Sequence, residues 1–274
     1  MPYVSDGRKL IEHAFRHGYA LPAFNFCSLE MAKACVEAAE ELQAPVILQT
    51  YPADLSSGSP RVMAAMVRAL AEEARVPVML HLDHGGGLGA VVECLRAGYS
   101  SVMLDGGGMA LAQVLEATRR AAEVVHAAGA ALEVAAERFN PGEAGATDPE
   151  AAARVREAGA DLVACAVGSE HGRQSRLDLR RLEAVAGAVR GPLVLHGGSG
   201  VEPADLARAV GLGVAKVNVG SASYRALLRV WRERAGELST HRAVYAEARA
   251  AVGEQARSYI ALLGAAGKAR EFSV

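Results

Sequence analysis

Short apolar runs alternate with longer amphipathic segments along almost the whole chain. The short runs are continuous rather than alternating in polarity, which is typical of parallel strands buried on both faces. We predict eight strands, near residues 20–25, 45–50, 77–82, 100–104, 130–135, 161–167, 192–195 and 214–219. The stretches between them, such as 29–42 and 61–74, are rich in Ala, Glu and Arg and carry apolar residues three and four apart. That spacing predicts helices with one apolar face.

Eight strand-then-helix units predict an α/β protein of the closed (β/α)8 TIM barrel type rather than an open sheet. No linker rich in Pro, Ser and Gly divides the chain, so we expect a single barrel domain over residues 1–274. Residues 139–149 read as a loop after the fifth strand. The segment from about 222 to 267 is longer than the helix that an eighth strand–helix unit needs. It predicts extended C-terminal helices that pack on the barrel or on a second subunit.

Composition and charge favour some classes of protein and argue against others. Hydrophobic residues make up 51% of the chain and charged residues 22%, the balance of a soluble enzyme with a well-filled core. The net charge is −2 and no long run of Lys or Arg occurs, which argues against a nucleic-acid partner. No apolar run reaches membrane-spanning length, and no apolar signal region opens the chain, so we expect a cytoplasmic protein. The cysteines form no Cys-x-x-Cys pair, as expected of free buried thiols.

Candidate chemistry collects where the predicted strands end, which is where barrels of this type build their active sites. The third strand ends in Asp83-His84-Gly85, the sixth leads into His171-Gly172, and the seventh into His196-Gly197. Three neutral imidazoles with one open position form a known catalytic zinc arrangement. We therefore predict that three histidines hold Zn²⁺: His84, His171 and His196.

Neighbouring residues have simpler interpretations. His81 lies inside the third strand and is expected to belong to the barrel core or to support a ligand, not to bind metal. Asp83 either orients an imidazole or acts as an acid–base group beside the substrate. The remaining histidines fall on predicted helices, where exposed or capping roles are expected: His13, His17, His126 and His241.

Glycine-rich turns follow the last two predicted strands. The run Gly197–Gly200 follows the seventh strand, and the turn Asn218–Ser221 ends the eighth. Barrels commonly bind phosphate at this place, on backbone N–H groups and a helix N-terminus. We therefore predict a phosphate site here that includes Gly197, Gly198, Ser199, Gly220 and Ser221.

Six segments resemble the class II fructose/tagatose-bisphosphate aldolases. They are LPAFN (21–25), HLDHG (81–85), SVMLD (101–105), AVGSEHG (166–172), LHGGSG (195–200) and KVNVG (216–220). They cover almost the whole chain, in order and at appropriate spacing. The resemblance implies a zinc-dependent aldolase that reversibly cleaves a phosphorylated ketose to dihydroxyacetone phosphate and an aldehyde.

The resemblance also implies roles for single residues. Asp83 would donate and accept the proton of the C4 hydroxyl, Asn25 and Asn218 would contact the substrate, and Asp105 would order the metal surroundings. Gly172 would join Gly197, Ser199 and Ser221 at the phosphate. A monovalent cation, Na⁺ or K⁺, and a homodimer or homotetramer are further expectations from the family. No Schiff-base lysine is needed, and Lys216 is not expected to serve as one.

The chain departs from the family pattern near the acid–base machinery. Glu133 matches the first carboxylate of the family's Glu-x-Glu motif on strand five, but Ala135 stands at the second. The following loop is short and leaves Glu143 as the substitute for the glutamate that moves the C3 proton. Ala222 follows Ser221, where an acidic residue is usual nearby.

These departures leave alternative interpretations of the substrate and of the activity. Arg138, Arg173 and Arg176 are candidates for binding a second anionic group, with solvated surface charge as the competing interpretation. The altered loop favours a non-standard ketose phosphate. A zinc hydrolase is a second possibility, because a three-histidine zinc site can also activate water. A metal-binding relative without catalysis is the third.

Overall fold

Eight parallel strands close into a barrel in the computed structural model of the chain. The strands are β1 Leu21–Asn25, β2 Val46–Thr50, β3 Val78–Gly85, β4 Ser101–Leu104, β5 Ala131–Ala135, β6 Leu162–Ala164, β7 Leu193–Leu195 and β8 Val214–Val219. Each pairs with its neighbours in sequence, and β8 pairs with β1. The predicted (β/α)8 barrel is confirmed. The structure describes residues 3–56, 58–136, 146–170, 172–234, 236–237 and 240–272.

Two strands differ from the sequence prediction by more than one residue at an end. β3 continues through Asp83 and His84 to Gly85, with a register shift against β4 between Leu82 and Gly85. β6 ends at Ala164, whereas the apolar run continues to residue 167. Apolar runs do not mark these ends, because the last segment of β3 is polar, whereas Cys165 and Val167 are buried without belonging to β6.

Ten helices of the described residues surround the barrel. They are α1 Gly7–Arg16, α2 Leu29–Glu41, α3 Pro60–Glu73, α4 Leu88–Ala97, α5 Leu111–Ala127, α6 Pro149–Glu157, α7 Leu179–Val189, α8 Pro203–Gly211, α9 Ser221–Arg234 and α10 His241–Leu262. None of the helices in these ranges is long and apolar enough to cross a membrane.

Helix α1 precedes the first strand and lies against the N-terminal ends of the strands. Tyr3 bridges to Val78 at the start of β3, and Gly7 packs so closely on the carbonyl of Ser100 that a Cβ there would stand 2.2 Å from it. The strand ends that carry the chemistry lie at the opposite, C-terminal end of the barrel.

The predicted C-terminal tail consists of two helices that pack on the barrel and on each other. The second begins after Thr240, whose side chain accepts a hydrogen bond from the backbone N–H of Ala243 and so caps α10. Helix α10 packs along α2, where Arg257 lies 3.1 Å from Glu41. Of the two predicted alternatives, packing on the barrel or on a second subunit, packing on the barrel accounts for these helices.

Candidate active site

The carboxyl ends of the strands enclose a cavity of about 350 Å³. This volume is in the range that takes a small metabolite. The described residues that line it are Asn25, Tyr51, Asp54, Asp83, His84, Gly197, Ser199, Asn218, Gly220, Ser221 and Tyr224. Most of the residues that the sequence predicts for the site thus meet in one place.

Two of the predicted metal ligands face each other at this cavity. The Nε2 atom of His84 and the Nδ1 atom of His196 lie 3.2 Å apart. The outer nitrogen of each ring contacts a carboxylate: His84 Nδ1 is 2.8 Å from Asp105, and His196 Nε2 is 2.8 Å from Glu133. Because a carboxylate accepts the ring N–H on the outer side, the inner nitrogens present lone pairs to each other.

This arrangement fits a divalent cation between the rings. Two nitrogen ligands of a tetrahedral zinc, each about 2.0–2.1 Å from the metal, stand about 3.3 Å apart. The observed 3.2 Å separation of the two inner nitrogens matches that value. Carboxylates behind the imidazoles are the usual outer partners of metal-binding histidines. Asp83 lies beside the two imidazoles, with one carboxylate oxygen 3.9 Å from His84 Nε2.

The electrostatics of His84 favour a positive charge at the same position. Burial lowers the pKa of this imidazole, but the hydrogen bond to Asp105 and the charge of Asp83 outweigh burial and raise the pKa above its ordinary value. His84 also has a φ of +55°, a left-handed backbone conformation that non-glycine residues rarely adopt. Such strain is found preferentially where side-chain placement serves function.

Asp83 is held as a hydrogen-bond acceptor. Its Oδ2 accepts the amide N–H groups of Asn25 at 3.0 Å and Gln49 at 3.2 Å, and its Oδ1 accepts that of Asn218 at 3.0 Å. The residue as a whole is only 5% exposed. Gln49 was not among the predicted site residues. The signal was present, since it is the only amide in the buried run VILQT of β2.

A buried ion pair supports both groups from inside the barrel. Lys216 Nζ lies 2.9 Å from Glu133 Oε2 and donates to Asn218 Oδ1 at 2.6 Å. Lys216 therefore orients the amide of Asn218 towards Asp83, while Glu133 orients His196.

His81 is a core residue whose neighbours include polar side chains. It is fully buried on β3, and its Nδ1 lies 2.7 Å from Ser101 Oγ. Burial, followed by the nearby charge of Lys216, lowers the pKa of His81 to about 3. Burial raises the pKa of Glu133, but Lys216 and the two histidines more than offset this and leave the pKa below its ordinary range.

The predicted phosphate residues surround the start of α9. Ser199 Oγ accepts the backbone N–H of Ala222 in the first turn of this helix. Gly172 approaches the same place, because a Cβ on it would stand 3.6 Å from Ser221 Oγ. Gly198 is buried beneath the turn and does not line the cavity, unlike Gly197 and Gly220.

Some predicted residues lie elsewhere or outside the described ranges. His171, Glu143 and Arg138 belong to the segments that the structure does not describe. Arg176 forms an ion pair with Asp205, at 2.8 Å, and Arg173 is exposed beside Glu170. Tyr51 and Asp54, after β2, and Tyr224, in the first turn of α9, also line the cavity and were missed, since neither residue type nor spacing marks them.

Comparison with known proteins agrees with this geometry. The model of the family described as "Fructose-bisphosphate aldolase class-II" matches residues 5–268. A fructose-bisphosphate aldolase of Thermus caldophilus is 34% identical over 302 residues, which cover 96% of this chain and 99% of that protein. One of Streptococcus pyogenes is 35% identical over 256 residues, covering 88% of this chain and 87% of that protein.

A solved structure has the same fold along almost its whole length. The crystal structure of the YdjI aldolase from Escherichia coli K12 superposes with a TM-score of 0.87 at 30% identity, over 96% of this chain and 98% of the other. The chain belongs to the class II fructose-bisphosphate aldolase family, whose members are carbon–carbon lyases acting on phosphorylated sugars.

Proposed function

We propose that this protein is a zinc-dependent aldolase that reversibly cleaves a phosphorylated ketose, similar to fructose or tagatose bisphosphate, to dihydroxyacetone phosphate and an aldehyde. The observation that carries the proposal is the pair of inner imidazole nitrogens, 3.2 Å apart, next to the carboxylate of Asp83. His84 and His196 would hold the metal, with His171 as the third ligand by family resemblance. The metal would supply a Lewis acid that stabilises negative charge developing on the substrate oxygens.

Asp83 is suited to move the proton of the C4 hydroxyl. Its three amide hydrogen bonds fix the carboxylate at the cavity wall and keep it an acceptor. It takes the hydroxyl proton when the C3–C4 bond breaks and returns it when the bond forms. Asn25, Gln49 and Asn218 act by positioning this carboxylate.

The phosphate of the ketose would bind where the cavity meets the start of α9. Ser199 and Ser221 present hydroxyl groups there, and the N-terminus of α9 presents backbone N–H groups. A helix N-terminus favours an anion through its N–H groups and its dipole. Ala222 places no carboxylate in the first turn of this helix.

The remaining assignments rest on the family resemblance. Glu143 is proposed to move the proton at C3, since Ala135 at the end of β5 offers no titratable group. A monovalent cation, a homo-oligomeric assembly and a cytoplasmic location are proposed on the same basis.

Proton exchange tests the proposal without knowledge of the aldehyde. Metal-stripped and zinc-restored protein are incubated with dihydroxyacetone phosphate in D₂O, and loss of the hydroxymethyl C–H signal is followed by NMR. We expect exchange only in the zinc-restored sample. Lack of exchange with zinc bound would contradict the aldolase proposal and would favour a metal-binding relative without this activity. Ester hydrolysis in its place would favour a zinc hydrolase.

A further inference from the structure

A second set of polar groups lines the active-site cavity, on the side of the loop after β2. We call it the tyrosine–aspartate wall, formed by Tyr51, Asp54 and Tyr224. The hydroxyl of Tyr224 donates to Asp54 Oδ2 at 3.0 Å, and the backbone N–H of Tyr51 donates to the same oxygen at 3.1 Å. The ring of Tyr51 meets His84 edge-on, with 5.7 Å between centroids. The wall therefore borders the space next to the proposed metal.

The wall presents hydrogen-bond acceptors to that space. Both described hydrogen bonds of Asp54 go to Oδ2, so Oδ1 takes part in neither. The Tyr224 oxygen uses its own hydrogen for Asp54 and keeps its lone pairs for a donor. Hydroxyl groups of a substrate are donors of this kind. A phosphate offers only acceptor oxygens and negative charge at neutral pH.

The described part of the same surface carries no positively charged side chain. Among the described residues that line the cavity, none is Lys or Arg. Arg176 is engaged by Asp205, and Arg173 lies exposed beside Glu170. A second phosphate placed against Asp54 would bring two negative charges together in a partly enclosed space, which is unfavourable.

We propose that the tyrosine–aspartate wall selects an uncharged, polyhydroxylated aldehyde and discriminates against a phosphorylated one. The ketose of this enzyme then carries a single phosphate, bound at the start of α9. The inference rests on the proposed aldolase function, because that function assigns the α9 end of the cavity to dihydroxyacetone phosphate. Asp54 and Tyr224 would bind aldehyde hydroxyls, and Asp54 would repel a phosphate.

Matched aldehydes test the inference. Condensation with dihydroxyacetone phosphate is measured for glyceraldehyde against glyceraldehyde 3-phosphate, and for erythrose against erythrose 4-phosphate. The quantity compared is the ratio of kcat/KM, neutral over phosphorylated aldehyde. We expect a ratio above about 10 in the unmodified enzyme, the discrimination that one hydrogen bond to a charged group can supply. A ratio below one overturns the inference.

Variants assign the selectivity to the wall. Asp54→Asn removes the charge and should lower the ratio by about tenfold to a hundredfold. Tyr224→Phe keeps the ring, removes the hydroxyl and should lower the ratio by a smaller factor. Glu123→Gln, an equal charge loss on the exposed side of α5, should leave the ratio unchanged. A partial loss of folded protein lowers both kcat/KM values equally and so cancels in their ratio. An unchanged ratio in Asp54→Asn would therefore overturn the role of the wall in aldehyde selection.

The proton-exchange measurement separates the two proposals. Zinc-dependent exchange together with a preference for phosphorylated aldehydes, or with no condensation of a neutral aldehyde, overturns the inference and leaves the aldolase function standing. No exchange with zinc bound contradicts the aldolase function, and the inference falls with it.

Discussion

At the scale of single residues, the candidate site consists of groups that fix one another's orientation. Asp105 and Glu133 each hold the outer nitrogen of an imidazole, and Lys216 links Glu133 to the amide of Asn218. Residue types at strand ends were enough to predict that His84, His196 and Asp83 lie close together. Gln49 and the Lys216–Glu133 pair were harder to predict, because their contacts form between strands that are distant in sequence.

The role of Asp83 leads to a direct prediction. Asp83→Ala should slow condensation of dihydroxyacetone phosphate with an aldehyde by about 10²–10⁴-fold, the usual range for loss of a positioned acid–base group. Zinc should remain bound, because the imidazoles are untouched. Rates and zinc content are measured on the same preparation, with Glu123→Gln as the control for loss of one carboxylate. Unchanged turnover would rule out the assigned role.

The buried ion pair leads to a second prediction. Glu133→Gln leaves the Lys216 ammonium without its charged partner in a fully buried place, so the free energy of unfolding should fall by about 3–5 kcal/mol. Zinc affinity should fall about 10–100-fold, since His196 loses the carboxylate behind it. Denaturant unfolding and zinc titration measure the two effects.

A double variant separates loss of the pair from loss of the glutamate alone. Glu133→Gln combined with Lys216→Met removes both charges, and its destabilisation should be smaller than the sum of the two single changes. Additive losses would mean that Glu133 and Lys216 do not stabilise each other.

At the scale of elements, the predicted strands were confirmed because a closed parallel barrel buries each strand on both faces. The apolar run then marks the body of each strand, β5 included, although the ends of β3 and β6 differ from it. The loops carry no such periodicity. The contact between Asp54 and Tyr224 joins residues 170 positions apart, and it forms because barrel closure pairs β8 with β1, which in turn pairs with β2.

A close approach between two loops gives a prediction at this scale. A Cβ on Gly200 would stand 1.8 Å from the carbonyl oxygen of Arg173, so the turn after β7 and the loop after β6 must separate in Gly200→Ala. We expect a loss of about 1–3 kcal/mol in the free energy of unfolding, as for an overpacked core, and a higher KM for dihydroxyacetone phosphate.

Gly187→Ala is the matched control, because this residue lies within α7 and a Cβ there meets no atom within 4 Å. It should be neutral or stabilise the protein by up to about 1 kcal/mol. Equal effects of the two substitutions would show that the contact between the loops does not constrain the site.

At the scale of the whole molecule, the two ends of the barrel differ. The N-terminal end is closed by packing, and the C-terminal end carries the candidate site. Helix α1 covers the N-terminal ends of the strands, and α10 packs along α2, away from the cavity. The C-terminal ends collect acceptors, imidazoles and the start of α9 around one space of about 350 Å³. The sequence predicts this division, since its polar motifs follow the strands and its apolar runs form them.

X-ray absorption at the zinc edge of the zinc-loaded protein tests the central claim most directly. The account predicts one zinc per chain with nitrogen and oxygen ligands at about 2.0–2.1 Å and the multiple-scattering signature of imidazole. That signature should weaken in His196→Ala. Sulfur ligands at about 2.3 Å, or a shell of oxygen without imidazole, would contradict the assignment of His84 and His196 as metal ligands.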